Sequence, residues 1–316
     1  MPAVLAVDLG KTGCRAGLWT DHGAAPRSTR EVPGTPGLAA PGGSAQAEAV
    51  VLAVARELLE AAGVRQVEAV CVGAAGALAA PEAAQALAGA VLAGLPAQVA
   101  AVTSDAVTAH AGALGCATGV ALAIGTGAVA VGVGAGGAFA VVDGWGPWLG
   151  DEGSGAWIGL AGLRTALRAH DGRGEPTALQ RAAVEEFGDL TRLPAALGEG
   201  GHQARRAASF APAVARAAAE GDRAAVGILR SAAAALGGAV AAAARRSGVP
   251  EPVPLAVTGG LVHLGEPLLA PLHAALAGSS PTLRLQPPLG DPLAGARLLA
   301  LRADGPHEPL ITRLRR

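Results

Sequence analysis

Residues 4–13, VLAVDLGKTG, and residues 120–127, VALAIGTG, show the same order of features at two places in the chain. Each stretch begins with a short apolar run, which predicts a buried strand, and passes into a glycine turn. Two further strands are predicted after each turn. This repeated unit predicts an α/β protein with an internal duplication, visible in its pattern though not in its letters.

The intervening segments alternate between helical and strand patterns. A Pro/Gly loop at Gly34–Gly43 precedes Ser44, which we expect to cap a helix, and Asp21-His22-Gly23 is a hairpin signal. We predict strands at residues 4–8, 14–20, 27–32, 67–72, 98–103, 120–124, 128–133, 138–142, 253–258 and 283–285. We predict helices at residues 44–62, 81–93, 106–114, 265–277 and 291–303, and a mostly helical segment at 154–246.

The length of 316 residues favours two domains over one. We place the first at 1–115, with helix 291–303 as a candidate to complete it. The second covers 116–290, with 154–246 as a helical insertion. The net charge is −1 and the arginines are scattered, so no nucleic-acid partner is expected.

Three cysteines occur, Cys14, Cys71 and Cys116, without a CxxC spacing. Their odd number and wide separation argue against a disulfide framework and a zinc site. The first residues lack the pattern of a signal peptide, and the alanine-rich residues 231–244 are a weak candidate for a membrane span. We therefore expect a cytoplasmic protein with no membrane partner.

A first phosphate site is predicted at the turn after the first strand. Main-chain N–H groups of Gly10, Lys11 and Thr12 could bind anionic oxygens, and Asp8 could hold Mg²⁺ through water. Lys11 is the chain's only lysine, which suggests a point charge at a phosphate. The alternative is an ordinary hairpin with a surface lysine.

Three more candidates lie at strand ends. Gly125-Thr126-Gly127 repeats the phosphate turn, and Gly259-Gly260 could let the main chain approach a nucleoside. Asp105 follows a strand and precedes a helix, where ligands bind in open α/β sheets. It could accept a hydroxyl proton during phosphoryl transfer, or it could simply belong to a helix N-cap.

Residues 144–159, GWGPWLGDEGSGAWIG, contain three of the four tryptophans. An indole packs well against the apolar face of a sugar, and the glycines allow close approach of the main chain. We expect Gly144, Trp145 and Asp151 to contact a sugar, and Trp148 and Trp157 to be structural. Alternatives are a core plug for the segment and a helix cap for Asp151.

Taken in order, these motifs resemble the N-acetylglucosamine kinase branch of the BadF-type ATPase family, within the sugar kinase, actin and chaperone ATPase superfamily. The resemblance spans nearly the whole chain, and 144–159 is its most specific part. It implies two ribonuclease-H-like (actin-like ATPase) domains with an interdomain ligand cleft. It also implies ATP and Mg²⁺ as cofactors and a homodimer.

The same resemblance assigns roles to single residues. It implies that Asp8 serves the magnesium, that Gly10–Thr12 and Gly125–Gly127 hold phosphates, and that Gly259-Gly260 contacts the nucleoside. Asp105 is then the catalytic base, and the sugar-binding residues are Gly76, Asp105, Gly144, Trp145 and Asp151.

Three positions depart from the family pattern. Lys11 stands where a small residue is usual, and Ala128 stands where relatives often carry serine. Gly34–Gly37 lacks the asparagine common in sugar-binding relatives, which puts recognition of an N-acetyl group in doubt.

The sequence thus predicts an ATP-dependent kinase acting on the 6-hydroxyl of N-acetylglucosamine. A glucosamine kinase of the same fold is the nearest alternative. A reductase- or dehydratase-activating ATPase and a non-enzymatic sugar or nucleotide sensor are remote ones.

Overall fold

The computed structural model describes residues 3–21, 23 and 25–316. His22 of the predicted hairpin turn lies outside these residues. The chain divides into two compact units. The first unit comprises Met1–Gly119, Gly132–Phe139 and Pro287–Arg316, and the second comprises Val120–Val131 and Ala140–Gln286.

The structure is α/β, as predicted, with two separate sheets. The strands are β1 (Ala3–Leu9), β2 (Gly13–Trp19), β3 (Ser28–Pro33), β4 (Val67–Ala74), β5 (Ala97–Thr103), β6 (Gly119–Ile124), β7 (Ala128–Val133), β8 (Phe139–Asp143), β9 (Val253–Thr258), β10 (Leu283–Leu285) and β11 (Thr312–Arg315). The helices are α1 (Gly43–Ala62), α2 (Pro81–Gly94), α3 (Asp105–Leu114), α4 (Gly155–His170), α5 (Ala178–Phe187), α6 (Leu193–Gly198), α7 (Gln203–Ser209), α8 (Ala211–Ala219), α9 (Arg223–Ser247), α10 (Glu266–Ala277) and α11 (Pro292–Leu301).

The first unit is built on a six-stranded sheet in the order β11-β5-β4-β1-β2-β3. β1, β4 and β5 run parallel, with Asp8 opposite Gly73 and Gly73 opposite Thr103. Apolar side chains cover both faces of these strands, one face against α1 and α2 and the other against α3 and α11. Their carboxyl ends therefore lie side by side at one edge of the sheet, where ligands bind in such folds.

The C-terminal segment of the chain belongs to the first unit. Asp291 caps α11 by accepting a hydrogen bond from Ala294 N at 2.8 Å. α11 packs closely on α3 because both helices carry glycine where they meet: a Cβ on Gly112 would lie 2.0 Å from the carbonyl oxygen of Asp291. The final strand, β11, pairs antiparallel with β5 and was not predicted.

The start of α1 differs from its prediction. Gly42 is the N-cap residue, with a left-handed φ of 71°, and Ser44 lies inside the first turn. Gly43 packs against the preceding loop, since a Cβ there would lie 2.2 Å from Gly37 O. The main-chain contact, and not a serine side chain, sets the start of this helix.

The second unit is built on a five-stranded sheet in the order β10-β9-β6-β7-β8. β9 lies parallel to β6, with Thr258 opposite Ala123. The glycine turns that follow these two strands therefore leave the sheet at the same edge. The segment that was predicted to be mostly helical forms α4 to α9, and its apolar residues build the core of this unit.

Helix α9, Arg223–Ser247, is long and apolar enough to cross a membrane by length and composition, and no other helix of the described residues passes that test. Its residues Leu229, Leu236 and Val240 are buried in the core of the second unit. α9 therefore packs as a core helix of the second unit, and such helices pass the same test of length and composition.

Candidate active site

Asp8 lies near the end of β1, largely buried, among other charged residues. Burial is the main cause that raises the pKa of its carboxyl from 3.8 to about 6, and Asp105 and Asp291 raise it further. Arg15, its cross-strand neighbour in β2, lowers it. The Arg15 guanidinium binds Asp291 Oδ2 at 2.6 Å. Three carboxylates and one guanidinium thus surround this edge of the sheet, and a cation would relieve their repulsion.

Asp105 is the first residue of α3, and Ser104 is the N-cap residue. Ser104 Oγ accepts a hydrogen bond from Ala106 N at 3.2 Å. Asp105 Oδ1 accepts from Ser104 Oγ and from Ala106 N, both at 2.9 Å. Ser104 occupies the N-cap position, and Ala106 N is shared between its hydroxyl and the Asp105 carboxylate. The bonds from Ser104 Oγ and Ala106 N hold the Asp105 carboxylate through Oδ1.

The predicted phosphate turn and the Gly34–Gly37 loop are in contact. Gly10 N donates to Gly13 O at 2.9 Å, and Thr35 N donates to Gly10 O at 3.3 Å. A Cβ on Gly34 would lie 2.3 Å from Gly10 O, so only glycine fits against the turn. Lys11 is exposed, with its Cε 3.8 Å from where a Cβ on Gly37 would lie.

Gly76 lies against the far end of the same loop. It has a φ of 79°, and a Cβ there would lie 3.3 Å from Leu38 N. Leu38 N donates to Ala75 O at 2.8 Å. In the first unit the structure therefore brings together the predicted phosphate turn, the atypical loop and the predicted sugar-binding glycine.

In the second unit, the turn Gly125–Gly127 lies against the N-terminus of α4. Gly155 N donates to Gly125 O at 2.8 Å, and Ala156 N donates to Thr126 O at 3.1 Å. These bonds use two N–H groups that have no partner within the helix. The turn and the start of α4 are therefore held as one piece, with Thr126 exposed.

Asp151 and Gly259 approach this turn from two sides. A Cβ on Gly127 would lie 2.8 Å from Asp151 Oδ2, and a Cβ on Gly259 would lie 2.2 Å from Ile124 O. Gly259 also has a φ of 99°, a conformation that favours glycine. A predicted phosphate turn, a predicted nucleoside contact and a predicted sugar ligand thus meet at the carboxyl ends of β6 and β9.

The loop that carries Asp151 is held by Asp143, the last residue of β8. Asp143 Oδ1 accepts from Asp151 N at 2.7 Å, and Oδ2 accepts from Glu152 N at 2.8 Å. Asp151 does not cap α4, because Ser154 does so by accepting from Trp157 N. Asp143 was not predicted as a site residue, although its place at a strand end, directly before Gly-Trp-Gly, can be seen in the sequence.

The tryptophans of residues 144–159 divide differently from the prediction. Trp157 packs against the core of the second unit, as predicted. Trp148 was expected to be structural, but 73% of its surface is exposed, as is 75% of that of Trp145. Trp148 lines a cavity of about 410 Å³ together with Leu160 and Leu197. The prediction that Trp148 is structural was wrong, because Trp148 lies in an exposed turn between Gly146 and Gly150 and not against the core.

Mg²⁺ prefers oxygen ligands and keeps several waters. Among the described residues no group of three or more His, Cys, Asp or Glu side chains could hold a metal ion directly. A carboxylate that binds through water, as predicted for Asp8, fits both facts. The buried cysteines fit metal chemistry poorly, since burial raises the pKa of Cys14 to about 11 and of Cys71 to about 12.

Together, the two sheets, their glycine turns and the carboxylates at the strand ends define an α/β protein of the actin-like ATPase and sugar kinase class. The model of the BadF/BadG/BcrA/BcrD ATPase family matches residues 5–282. The chain belongs to this family.

Its relatives include named sugar kinases. The N-acetyl-D-glucosamine kinase of Dictyostelium discoideum is 31% identical over 209 residues, which are 64% of this chain and 65% of the relative. The N-acetylmuramic acid/N-acetylglucosamine kinase of Clostridium acetobutylicum is 37% identical over 79 residues, 25% of this chain and 26% of the relative. The matches thus span about a quarter and just under two thirds of these curated relatives.

A solved structure from Chromobacterium violaceum, inferred to be an N-acetylglucosamine kinase, matches with a TM-score of 0.69 and 28% identity. The match covers 96% of this chain and 99% of that one. The predicted fold class is confirmed by this similarity, and the relatives support the N-acetylglucosamine kinase branch of the family.

Proposed function

We propose that this protein is an ATP-dependent amino-sugar kinase, a phosphotransferase that moves the γ-phosphoryl group of ATP to the 6-hydroxyl of N-acetylglucosamine. The observation that carries the proposal is Asp105, held through Oδ1 at the start of α3 and close enough to Asp8 to raise its pKa. A base for the acceptor hydroxyl and a carboxylate for a cation then lie at one edge of the sheet. The named kinase relatives support the same reaction.

On the donor side, Asp8 would hold Mg²⁺ through water, and the bound ion would neutralise charge on the phosphates. The turns Gly10–Thr12 and Gly125–Gly127 would bind phosphate oxygens through their main-chain N–H groups. Lys11, exposed on the first turn, would add a positive charge. Gly259 and Gly260 would lie against the nucleoside, where the absence of side chains permits close approach.

On the acceptor side, Gly76, Gly144, Trp145 and Asp151 would bind the sugar. Asp105 would orient the hydroxyl and accept its proton as the phosphoryl group is transferred. Most of the catalysis would come from positioning and charge stabilisation, as is usual for phosphoryl transfer. We place this enzyme in the cytoplasm as a homodimer, with no nucleic-acid or membrane partner.

A glucosamine kinase is the second candidate, and one observation favours it. The Gly34–Gly37 loop contacts both the phosphate turn and the main chain beside Gly76, yet it carries no asparagine. An amide side chain at this place would be suited to an N-acetyl group, so its absence weakens the case for the acetylated sugar.

The remote candidates make distinct predictions. A reductase- or dehydratase-activating ATPase would need thiolates for an iron–sulfur cluster, and an absorbance spectrum of anaerobically purified protein would reveal one. A sugar or nucleotide sensor would bind its ligand without consuming ATP.

The test is a coupled ADP-release assay over N-acetylglucosamine, glucosamine, other amino sugars with their N-acetyl forms, and glucose. Phosphorus NMR of the product identifies the phosphorylated hydroxyl. If no sugar in this panel causes ADP release, the proposed function is overturned. A higher kcat/KM for glucosamine than for N-acetylglucosamine would select the second candidate.

The Asp105→Asn variant tests the assigned base. We expect kcat to fall roughly 10²–10⁴-fold, the usual contribution of a general base, with little change in either KM. Asp189→Asn is the matched control, because Asp189 also accepts a main-chain N–H at a helical turn but has no assigned role. Near-wild-type turnover in Asp105→Asn would exclude Asp105 as the base.

A further inference from the structure

We infer that Asp143 is a positioning residue for the sugar-binding loop, acting through the main chain of Asp151 and Glu152. The inference rests on the proposed function, because it concerns how the proposed sugar ligand Asp151 is held. Asp143 itself is not assigned a contact with substrate.

The Asp143 carboxylate binds two neighbouring residues of the proposed sugar-binding loop. Its two carboxylate oxygens accept separate hydrogen bonds, at 2.7 and 2.8 Å, from two consecutive N–H groups at 151 and 152. A carboxylate that accepts two main-chain N–H groups makes strong, directional bonds. These bonds hold the backbone of Asp151 while leaving its side chain to other partners.

Backbone strain at both ends of this contact supports the inference. Asp143 has a φ of 64° and Asp151 a φ of 53°, and these are the two non-glycine residues with positive φ in the described part of the chain. Such conformations cost free energy and persist only where the surroundings impose them. The two strained residues are joined directly by the Asp143–Asp151 hydrogen bond.

Glycines make room for this arrangement on both sides. A Cβ on Gly150 would lie 2.2 Å from Asp143 Oδ1 and 2.9 Å from the Cβ of Trp145. A Cβ on Gly127 would lie 2.8 Å from Asp151 Oδ2. A side chain at Gly150 or Gly127 would therefore push against the carboxylate of Asp143 or Asp151, whereas the glycines leave both carboxylates in place.

The Asp143→Asn variant tests this role. Asparagine tolerates positive φ, so the change mainly replaces one accepting oxygen with an NH₂ group that faces a main-chain N–H. We expect the KM for the sugar to rise about 10- to 100-fold, which is the effect of losing a charged hydrogen bond. The KM for ATP and kcat should change much less, because the phosphate turn Gly125–Gly127 is also held by main-chain hydrogen bonds from Gly155 N and Ala156 N, which do not involve Asp143.

Asp222→Asn is the matched control in the same unit. Asp222 also accepts two main-chain N–H groups, from Ala225 at 2.9 Å and from Ala178 at 2.8 Å, and lies outside the proposed site. A purely structural role would make the two variants alike. Isothermal titration of the sugar should show weaker binding for Asp143→Asn alone.

A second variant keeps the test decisive if Asp143→Asn folds poorly. Gly150→Ala retains Asp143 but displaces its carboxylate and crowds Trp145, so it should raise the sugar KM at least as much. The inference is overturned if the wild-type enzyme is active and both variants have a sugar KM within twofold of it, or if both fail to fold. Inactivity of the wild-type enzyme on every sugar would instead contradict the proposed function.

Discussion

The Asp8→Asn variant should be more stable than the wild-type protein at pH 8 and no more stable near pH 4. The folded protein raises the pKa of the Asp8 carboxyl from 3.8 to about 6, first through burial and then through Asp105 and Asp291. Folding therefore favours the protonated carboxyl. A charged Asp8 opposes folding, and asparagine removes that charge while keeping the shape of the side chain.

The magnitude follows from the two pKa values. One pKa unit corresponds to about 1.4 kcal/mol, so the change from 3.8 to about 6 corresponds to about 3 kcal/mol at most. Below pH 3.8 the carboxyl is protonated in both states and contributes nothing. Between pH 3.8 and about 6 the folded state binds more protons than the unfolded chain, so stability falls as pH rises. Above about pH 7 the full cost is present.

Urea unfolding followed by far-UV circular dichroism, without nucleotide or Mg²⁺, measures this effect at pH 4, 6 and 8. The variant's advantage should grow with pH and approach 3 kcal/mol at pH 8. Glu68→Gln is the control, because Glu68 is an exposed carboxylate on β4 of the same sheet. Equal stability of Asp8→Asn and wild type at pH 8, or a difference that does not depend on pH, would refute the reasoning.

Two further predictions concern the second unit's glycine turn and the thiols. Gly259→Ala should lower the free energy of unfolding by about 2–4 kcal/mol, because an alanine there is strained and overlaps Ile124 O. Gly260→Ala should change it little, because the space around its Cβ position is open. Equal urea midpoints for the two variants would contradict this prediction. A thiol reagent at pH 8 should modify the half-buried Cys116 first, and the two fully buried cysteines only after urea unfolding. Rapid modification of all three thiols in the native protein would contradict the burial.

The spacing of apolar residues and the residues typical of turns and helix starts made much of the fold predictable. The strands 4–8 and 120–124 are apolar runs that end in glycine turns, and the structure places both as central strands. Asp291 with Pro292 marks the start of α11 correctly. These signals are local, so a single sequence carries them.

The missed features depend on contacts between distant parts of the chain. The last strand, Thr312–Arg315, has two arginines and no apolar alternation, and its pairing with β5 alone makes it a strand. The ion pair of Arg15 with Asp291 joins residues far apart in sequence. Exposure of Trp148 could not be derived from its residue type, because tryptophan is usually core.

The assignments of single residues to ATP, Mg²⁺ and sugar stay predictions. The structure adds geometry to them: the loop Gly34–Gly37 contacts the first phosphate turn, and Asp151 contacts Gly127 of the second. Neither contact could be inferred from spacing, because each depends on how a loop folds back onto a strand end.

The division of the first unit into separate stretches of sequence sets an order of events during translation. Residues 140–286 of the second unit leave the ribosome before α11 and β11 exist. Until then β5 is an unpaired edge strand and the apolar face that α11 covers is exposed, which are features that invite aggregation. The first unit therefore stays incomplete while the second unit is synthesised, and it is completed when α11 and β11 pack onto its sheet.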